Sequence, residues 1–324
     1  MAGTRPGARE AGRPRHLHNL RRVAGTLDFI VIGAQKAGTT ALWRYLASHP
    51  RLHLPPSKEA AFFSHDPPFS RGFEWYLAEF FEGAPADALW GTATPQYMMG
   101  SATADVPEVA RRIARQVPEV RLISLLRDPI DRARSQHQMS THRSIEQRPF
   151  EQAMSELLTP QALEVARRTP TETNSYLVQG EYGRILGAYL GEFPRNQLHV
   201  AFSRDLSLHR GDVLGGIHAF LGVETAPLSQ ELAHRFFRGS TRRRIDQEAE
   251  RLLKNYLEGE VWPQMPRPRE ARRSFNFWFM QFNMAPGDRE LGSLEPSLER
   301  RLSEHFREDA ARLEELLDLH APWL

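Results

Sequence analysis

The chain contains no cysteine among its 324 residues, which excludes disulfide bonds, thiolate metal sites and cysteine nucleophiles. This absence fits a reducing compartment, and we expect a cytoplasmic protein. No apolar run approaches the roughly 18 residues of a spanning helix, so we expect no membrane span. The basic N-terminus precedes no apolar stretch, which predicts no signal peptide.

Lysine is also scarce, because only three of the 42 basic residues are lysines: Lys36, Lys58 and Lys254. Six arginines and a single acid lie in residues 1–22, which therefore carry a charge of +5. We expect residues 1–26 to form a flexible basic arm. The remainder of the chain is slightly acidic, which disfavours a specific nucleic-acid partner, since such proteins have a basic body.

Short apolar runs alternate with helical patterns along most of the chain. The runs Phe29–Gly33, Val120–Leu126 and Leu198–Phe202 predict buried strands. Helices are predicted near 39–48, 73–81, 105–116, 129–141, 181–192, 210–221 and 296–317. This alternation predicts an α/β fold with a central, mostly parallel sheet flanked by helices. We expect one domain over 27–324, with 239–292 as a candidate lid or acceptor-binding segment.

The first predicted strand runs into the loop Gly33-Ala34-Gln35-Lys36-Ala37-Gly38-Thr39-Thr40. A strand, a glycine-rich turn and a helix N-terminus form an anion site, because the first-turn amides lack intrahelical partners and the helix dipole favours negative charge. Gly33 and Gly38 permit a tight turn. Lys36 can reach the bound anion, while Thr39 and Thr40 offer hydroxyls and are expected to cap the helix.

The order of residues in this loop differs from the triphosphate-binding loop, in which a lysine directly follows the second glycine. Here Thr39 follows Gly38, and Lys36 precedes that glycine by two positions. The strand that ends at Leu126 is followed by an arginine, not by an acid suited to Mg²⁺. This disfavours a magnesium-dependent enzyme, although Asp128 keeps a P-loop kinase of unusual motif order open as an alternative.

The longer string from Phe29 to Leu42, followed by Leu46 and His49-Pro50, resembles the 5′-phosphosulfate loop of one sulfotransferase family. Its members use 3′-phosphoadenosine 5′-phosphosulfate (PAPS), and the match is to the heparan sulfate N- and O-sulfotransferase branch, here as a bacterial-type member. The resemblance implies a P-loop-like sulfotransferase fold. It also implies PAPS as co-substrate, adenosine 3′,5′-bisphosphate (PAP) as product, and no metal. The residues implied to hold the 5′-phosphosulfate are Lys36, Ala37, Gly38, Thr39 and Thr40.

A second signature is the run Arg127-Asp128-Pro129, followed by Arg132 and Ser135, which resembles the 3′-phosphate site of the same family. Arg127 ends a strand beside the first one, and its guanidinium can pair with a phosphate in bidentate fashion. Ser135 lies two turns along the next helix and can donate its hydroxyl. The alternative for Arg127 is an ion pair with Asp128 or with an acid of that helix.

The segment from Lys58 to Phe63 resembles the part of the family that carries the general base, which implies Glu59 in that role. A glutamate is a weak base unless burial or its neighbours raise its pKa. His65 and His137 are rival bases, and a surface pair of Glu59 with Lys58 is the structural alternative. Lys36 is the expected cation at the leaving phosphate, with Lys58 as its assistant.

Other parts of the chain depart from the family or leave its pattern open. In the segment Gly91–Tyr97, Thr92 and Ala93 replace a glutamate and a lysine, and that lysine helps to bind acceptor and donor in the animal polysaccharide enzymes. The basic C-terminal loop that contacts the 3′-phosphate has two candidates, Arg242–Arg244 and Gly287–Arg289. The aromatic residues that could stack an acceptor, or belong to the core, are Trp75, Tyr76, Trp278 and Phe279.

The sequence therefore predicts transfer of a sulfuryl group from PAPS to a hydroxyl of a small molecule or glycan, with an amine as the second choice. Glu59 and Lys36 are the expected catalytic residues. Two alternatives stay open: the kinase already named, and a non-catalytic protein that binds the donor or a carbohydrate.

Overall fold

The central sheet has five strands: β1 (Phe29–Gly33), β2 (Leu52–His53), β3 (Leu89–Ala93), β4 (Arg121–Leu126) and β5 (Leu198–Phe202). Their order is β2-β3-β1-β4-β5, and every neighbouring pair is parallel. The carboxyl ends of parallel strands meet at one edge, so the loops that follow β1, β3 and β4 begin side by side there. This computed structural model describes residues 26–228, 252–253, 255–265 and 294–323, and the backbone of 240–243 and 284–286.

Eleven α-helices are described in these ranges. They are α1 (Thr39–Ala47), α2 (Asp66–Phe69), α3 (Phe73–Phe81), α4 (Val106–Gln116), α5 (Pro129–His142), α6 (Phe150–Leu157), α7 (Pro160–Arg168), α8 (Tyr182–Leu190), α9 (Ser203–Leu208), α10 (Arg210–Leu221) and α11 (Pro296–Leu317). Short 3₁₀ helices cover Pro95–Met98, Val178–Gly180, Arg195–Gln197 and Trp262–Gln264, and a π-helical turn covers Leu257–Val261. None of the helices in the described part combines the length and apolar character that a bilayer crossing requires.

The core lies on both faces of the sheet. Every residue of β1, and every residue of β4 after Arg121, is buried. Helices cover both faces, so the two strands are mostly apolar instead of alternating between apolar and polar residues, and Ser124 is the polar residue buried in β4. The buried side chains of α1, α4, α8 and α10 join the strands in one continuous apolar cluster. The predicted fold class is confirmed by this architecture.

A short antiparallel pair lies outside the main sheet. Its strands are β6 (Ser240–Arg243) and β7 (Met284–Pro286), and the backbone of β6 contacts α5. The predicted lid at 239–292 falls mostly outside the described residues. So does the predicted arm, of which only residue 26 is described.

Glu181 joins three helices through a buried ion cluster. Its carboxylate accepts hydrogen bonds from Arg167 on α7 at 2.7 and 3.0 Å and from Arg184 on α8 at 2.5 Å, and His305 on α11 lies at 3.4 Å. Burial raises the pKa of this carboxyl, but the nearby imidazole of His305, the bonds from Arg167 and the charge of Arg184 outweigh burial and lower it to about 2. The cluster therefore fastens α7 and α11 to the start of α8.

Candidate active site

The loop after β1 has the backbone that an anion site requires. Lys36 and Gly38 both have positive φ values, 69° and 99°, a region in which glycine meets no penalty and lysine is strained. Gly38 is the N-cap residue of α1 and supplies no capping side chain. The expected threonine cap is therefore wrong, because Thr39 and Thr40 lie inside the first turn. That turn keeps amides without an internal acceptor, which favours an anionic ligand.

One hydrogen bond fixes this loop to the sheet, and a second closes the turn within the loop. The amide of Ala34 donates to the carbonyl of Leu125 at 2.8 Å, and the amide of Ala37 donates to the carbonyl of Ala34 at 3.2 Å. Ala37 and Thr39 are buried, whereas Gly38 is exposed at the mouth of the loop. The anion-binding turn is thus held from β4, the strand that leads into the second predicted subsite.

Arg127 connects the two predicted donor subsites directly. Its Nη1 donates to the carbonyl of Lys36 at 3.3 Å, and its Nη2 lies 3.3 Å from Asp131 Oδ2. The hydroxyl of Tyr182, whose ring is buried, donates to the carbonyl of Arg127 at 2.9 Å. The expected alternative of an ion pair with an acid of the helix is therefore present in the ligand-free protein. Asp131 is half exposed, so a phosphate can replace it at the guanidinium.

Asp128 and Ser135 take different places on α5. Asp128 is the N-cap residue of α5, and its Oδ1 accepts the amide of Asp131 at 2.8 Å. A carboxylate used as a cap in this way is a poor candidate for a magnesium ligand. Ser135 lies two turns along α5 and is partly buried. No group of three or more histidine, aspartate or glutamate residues suited to a metal ion occurs within the described ranges.

Lys36 lies among other cations. Burial, and then the charges of Arg143, Arg127, Lys58 and Arg132, lower the pKa of its ammonium from 10.5 to about 8. A dianionic ligand at the loop would relieve that repulsion, because opposite charge favours the protonated amine. The electrostatics of the loop therefore match an anion with more than one negative charge.

Arg132 is a fully buried cation five residues after Arg127. Its Nη1 donates to Gln136 Oε1 at 2.8 Å and to Gln179 Oε1 at 3.4 Å, and its Nη2 donates to the carbonyl of Tyr176. These acceptors are all uncharged. Burial, together with the charge of Arg127, lowers the pKa of Arg132 to about 10, so the guanidinium keeps its charge at neutral pH. It adds positive potential beneath the loop without reaching the surface.

Glu59 lies on the segment between β2 and α2. Its Oε1 accepts from Lys58 Nζ at 2.9 Å, and its Oε2 accepts from Gln96 Nε2 at 2.7 Å. Burial raises the pKa of Glu59, but the charges of Lys58 and Arg143 and the bond to Gln96 outweigh that effect and leave the pKa below its usual value. The side chain is 46% exposed. Glu59 is thus an accessible carboxylate, ionised at neutral pH.

The backbone beside Glu59 is tied to the segment after β3. The amide of Ala60 donates to Thr94 Oγ1 at 3.2 Å, and the carbonyl of Ala60 accepts from the hydroxyl of Tyr97 at 2.6 Å. Thr92 and Ala93, where the family carries a glutamate and a lysine, are fully buried in β3. The side chains of this segment that can reach Glu59 therefore belong to residues just beyond β3.

The two histidines that were rival candidates for the base, His137 and His65, make hydrogen bonds to other groups. His137 is buried, and its Nε2 pairs with the carbonyl of Arg148 at 2.9 Å. His65 Nδ1 pairs with the hydroxyl of Ser64 at 3.0 Å. Of the candidate stacking aromatics, Tyr76 is fully buried and packs between Phe62 and Phe73 as part of the core. Trp278 and Phe279 lie outside the described residues.

Arg143 is a cation whose charge acts on the candidate site and which no sequence motif singled out. It follows α5, its side chain is 43% exposed, and its Nη1 lies 4.0 Å from Glu172 Oε1. It is the strongest charge acting on Lys36 and also acts on Glu59. No motif marks it, because it lies 16 positions after Arg127 and reaches the site only through the path of α5. Of the two candidates for the C-terminal phosphate loop, the backbone of Arg242 and Arg243 is described in β6, and Gly287–Arg289 lies outside the described residues.

Comparison with known proteins agrees with this geometry. A family model described as the sulfotransferase domain matches residues 26–268, about three quarters of the chain. The chain belongs to the sulfotransferase domain family. The family that the two anion-binding signatures implied is thereby confirmed.

Relatives of this sulfotransferase-family chain include larger proteins. The human bifunctional heparan sulfate N-deacetylase/N-sulfotransferase 3 is 30% identical over 207 residues, which cover 60% of this chain and 22% of that protein. The membrane-associated sulfotransferase kil1 of Dictyostelium discoideum is 36% identical over 115 residues, or 35% of this chain and 23% of that protein. The chain thus spans about a fifth of the length of the curated relatives it matches.

Among solved structures, a sulfotransferase from Alicyclobacillus acidocaldarius superposes with a TM-score of 0.60 at 22% identity. The superposition covers 91% of this chain and 97% of that one. At this identity the likeness shows a shared fold.

Proposed function

We propose that this chain transfers a sulfuryl group from PAPS to a hydroxyl group, with an amine as the alternative acceptor. The observation that carries the proposal is the hydrogen bond from Arg127 to the carbonyl of Lys36, 3.3 Å long. It joins an anion-binding loop to a second cation on the neighbouring strand. Such a pair suits a nucleotide with phosphates at two separate positions.

The donor would lie across the carboxyl edge of the sheet. The residues that would hold the 5′-phosphosulfate are Lys36, Ala37, Gly38, Thr39 and Thr40. Arg127 and Ser135 would hold the 3′-phosphate and so select PAPS over ATP. Arg242 and Arg243, on the strand whose backbone contacts α5, are candidates for a further contact with that phosphate.

The reaction needs a base and a cation. The acceptor oxygen attacks sulfur, the bond between sulfur and the bridging phosphate oxygen breaks, and Glu59 takes the acceptor proton. Lys36 offsets the charge that develops on the departing PAP. Most of the acceleration in such a transfer comes from alignment and electrostatics, and a positioned base adds about 100- to 10,000-fold. The scheme requires no metal.

The acceptor and the location complete the proposal. We propose a small molecule or a glycan as acceptor, bound with the help of the segment 239–292 acting as a lid. The absence of cysteine supports a reducing, cytoplasmic setting. One catalytic domain over 27–324 with a basic arm before it remains our proposed organisation.

Donor binding gives the decisive test. PAP is expected to raise the melting temperature of the chain more than ATP with Mg²⁺ does. Lys36→Ala and Arg127→Ala are each expected to reduce that effect. Arg168→Ala serves as the matched control, because Arg168 is 78% exposed and pairs within α7, with Glu164.

Two results would favour the alternatives. Stabilisation by ATP with Mg²⁺ but not by PAP would support a kinase. Binding of PAP without transfer to any acceptor, together with a Glu59→Gln variant that behaves like the wild type, would support a non-catalytic binding protein.

A further inference from the structure

Gln96 is the first side chain beyond β3 that reaches the proposed base. It lies in the 3₁₀ helix Pro95–Met98, and its Nε2 donates to Glu59 Oε2 at 2.7 Å. Lys58 donates to the other oxygen of the same carboxylate, Oε1, at 2.9 Å. Each carboxylate oxygen therefore has one protein donor, one of them neutral and the other charged.

The position of Gln96 is fixed from both sides. Thr94 and Tyr97, which flank it, hold the amide and the carbonyl of Ala60 at 3.2 and 2.6 Å. The orientation of its amide follows from chemistry, because an ionised carboxylate accepts hydrogen bonds and does not donate them. Gln96 Oε1 is buried and has no hydrogen-bond partner within the described residues.

We propose that Gln96 positions the Glu59 carboxylate for proton abstraction, and that its neutral amide does so without placing another cation beside the base. This inference rests on the proposed function, in which Glu59 is the base. The segment that carries Gln96 is the one where Thr92 and Ala93 replace the charged pair of the family, and those two residues are buried in β3. The segment thus offers Glu59 a hydrogen bond in place of a charge.

The charge balance around Glu59 explains why a neutral donor matters. Lys58, which bonds the carboxylate, and the charge of Arg143 both lower its pKa, and the same two cations act on Lys36. A lysine at position 96 would add to that effect and make Glu59 a weaker base. An amide fixes the same oxygen through a hydrogen bond and leaves more basicity for the transfer.

The protonation of Glu59 can be measured directly, without knowledge of the acceptor. The full chain labelled with ¹³C at glutamate Cδ is titrated by NMR, and the Glu59 signal is assigned by its loss in Glu59→Gln. Gln96→Met, which removes the donor and also the unsatisfied oxygen, is expected to move the Glu59 midpoint to higher pH. Gln96→Lys is expected to move it to lower pH.

The same variants are then followed in turnover, measured as Glu59-dependent release of PAP from PAPS. The acid limb of the pH–rate profile is expected to move in the same order, Lys below wild type and wild type below Met. PAP affinity is expected to change by less than about twofold in both variants, because the donor contacts lie on other loops.

Identical midpoints and identical acid limbs in all three proteins would overturn the role of Gln96. A loss of rate with no movement of the acid limb would also overturn it, since that is the result of general structural damage. Failure of the wild type to bind PAP would instead overturn the proposed function.

Discussion

Lys36 is a cation in an unfavourable place, so replacing it with methionine should stabilise the ligand-free protein. Its pKa falls from 10.5 to about 8. One pKa unit corresponds to about 1.4 kcal/mol, so the charged ammonium costs the folded state about 3 kcal/mol at pH 7 as an upper limit. Methionine keeps the length of the side chain without its charge. We expect Lys36→Met to raise the free energy of unfolding by up to that amount.

The gain must depend on pH in a defined direction. A lysine whose folded pKa is lowered destabilises the folded state fully below that lower pKa, and the penalty fades as pH rises from about 8 towards 10.5. At pH 9.5 the penalty has fallen to about 1.4 kcal/mol by the same relation. Denaturant unfolding of both proteins at pH 7 and pH 9.5 measures the difference. Thermal unfolding at pH 7 should show an increase of several degrees.

A control variant and a ligand complete this experiment. Lys58→Met removes a lysine at the same edge of the sheet, but one that pairs with Glu59 at 2.9 Å, so no stabilisation is expected. Lys36→Met should lose PAP binding while it gains stability. The reasoning is refuted if Lys36→Met is less stable than the wild type at pH 7, or if its gain is the same at both pH values.

Two further predictions concern buried charges. Arg132→Gln should weaken PAP binding about tenfold through loss of potential, and Arg132→Lys should bind better than Arg132→Gln in calorimetry; equal losses would assign Arg132 a purely structural role. Glu181→Gln should lower the free energy of unfolding by about 3 kcal/mol in denaturant titrations at pH 7, because Arg167 and Arg184 lose a buried partner. With the folded pKa of Glu181 lowered to about 2, its contribution is fully present above about pH 4.5 and is lost as pH falls towards 2; a wild-type stability that stays constant over that range would contradict this account.

The candidate donor half of the site could be proposed from sequence because each of its parts is local, and the roles of its residues stay predictions. The loop 33–40 carries its glycines, its lysine and the start of its helix within one short stretch. In the same way, Arg127 directly follows the apolar run of β4. The predicted strands Phe29–Gly33 and Leu198–Phe202 have the bounds that the structure shows. Continuous apolar runs bounded by turn residues are a strong signal for buried strands.

The parts that were missed depend on contacts between distant residues. β3 has a glycine at position 91, where a Cβ would lie 2.2 Å from the ring of Phe29. The need for this glycine therefore follows from its packing partner, and the sequence of β3 alone does not show it. The two-residue strand β2 and the helices α6 and α7 also went unpredicted. Gln96 lies in the segment compared with the family, but only the folded chain shows that its side chain bonds Glu59. Arg143 belongs to no motif, and its charge acts on Lys36 and Glu59 through the path of α5.

The bond between Arg127 and the carbonyl of Lys36 has a consequence for inhibitor chemistry. This bond connects the two ends of the proposed donor site, so a small anion that orders the loop is expected to order the guanidinium as well. Two unlinked fragments, one for each end, should therefore bind with positive cooperativity, and by reciprocity each should strengthen the other equally. In a compound that joins such fragments, binding of the first part would already order the residues that bind the second part.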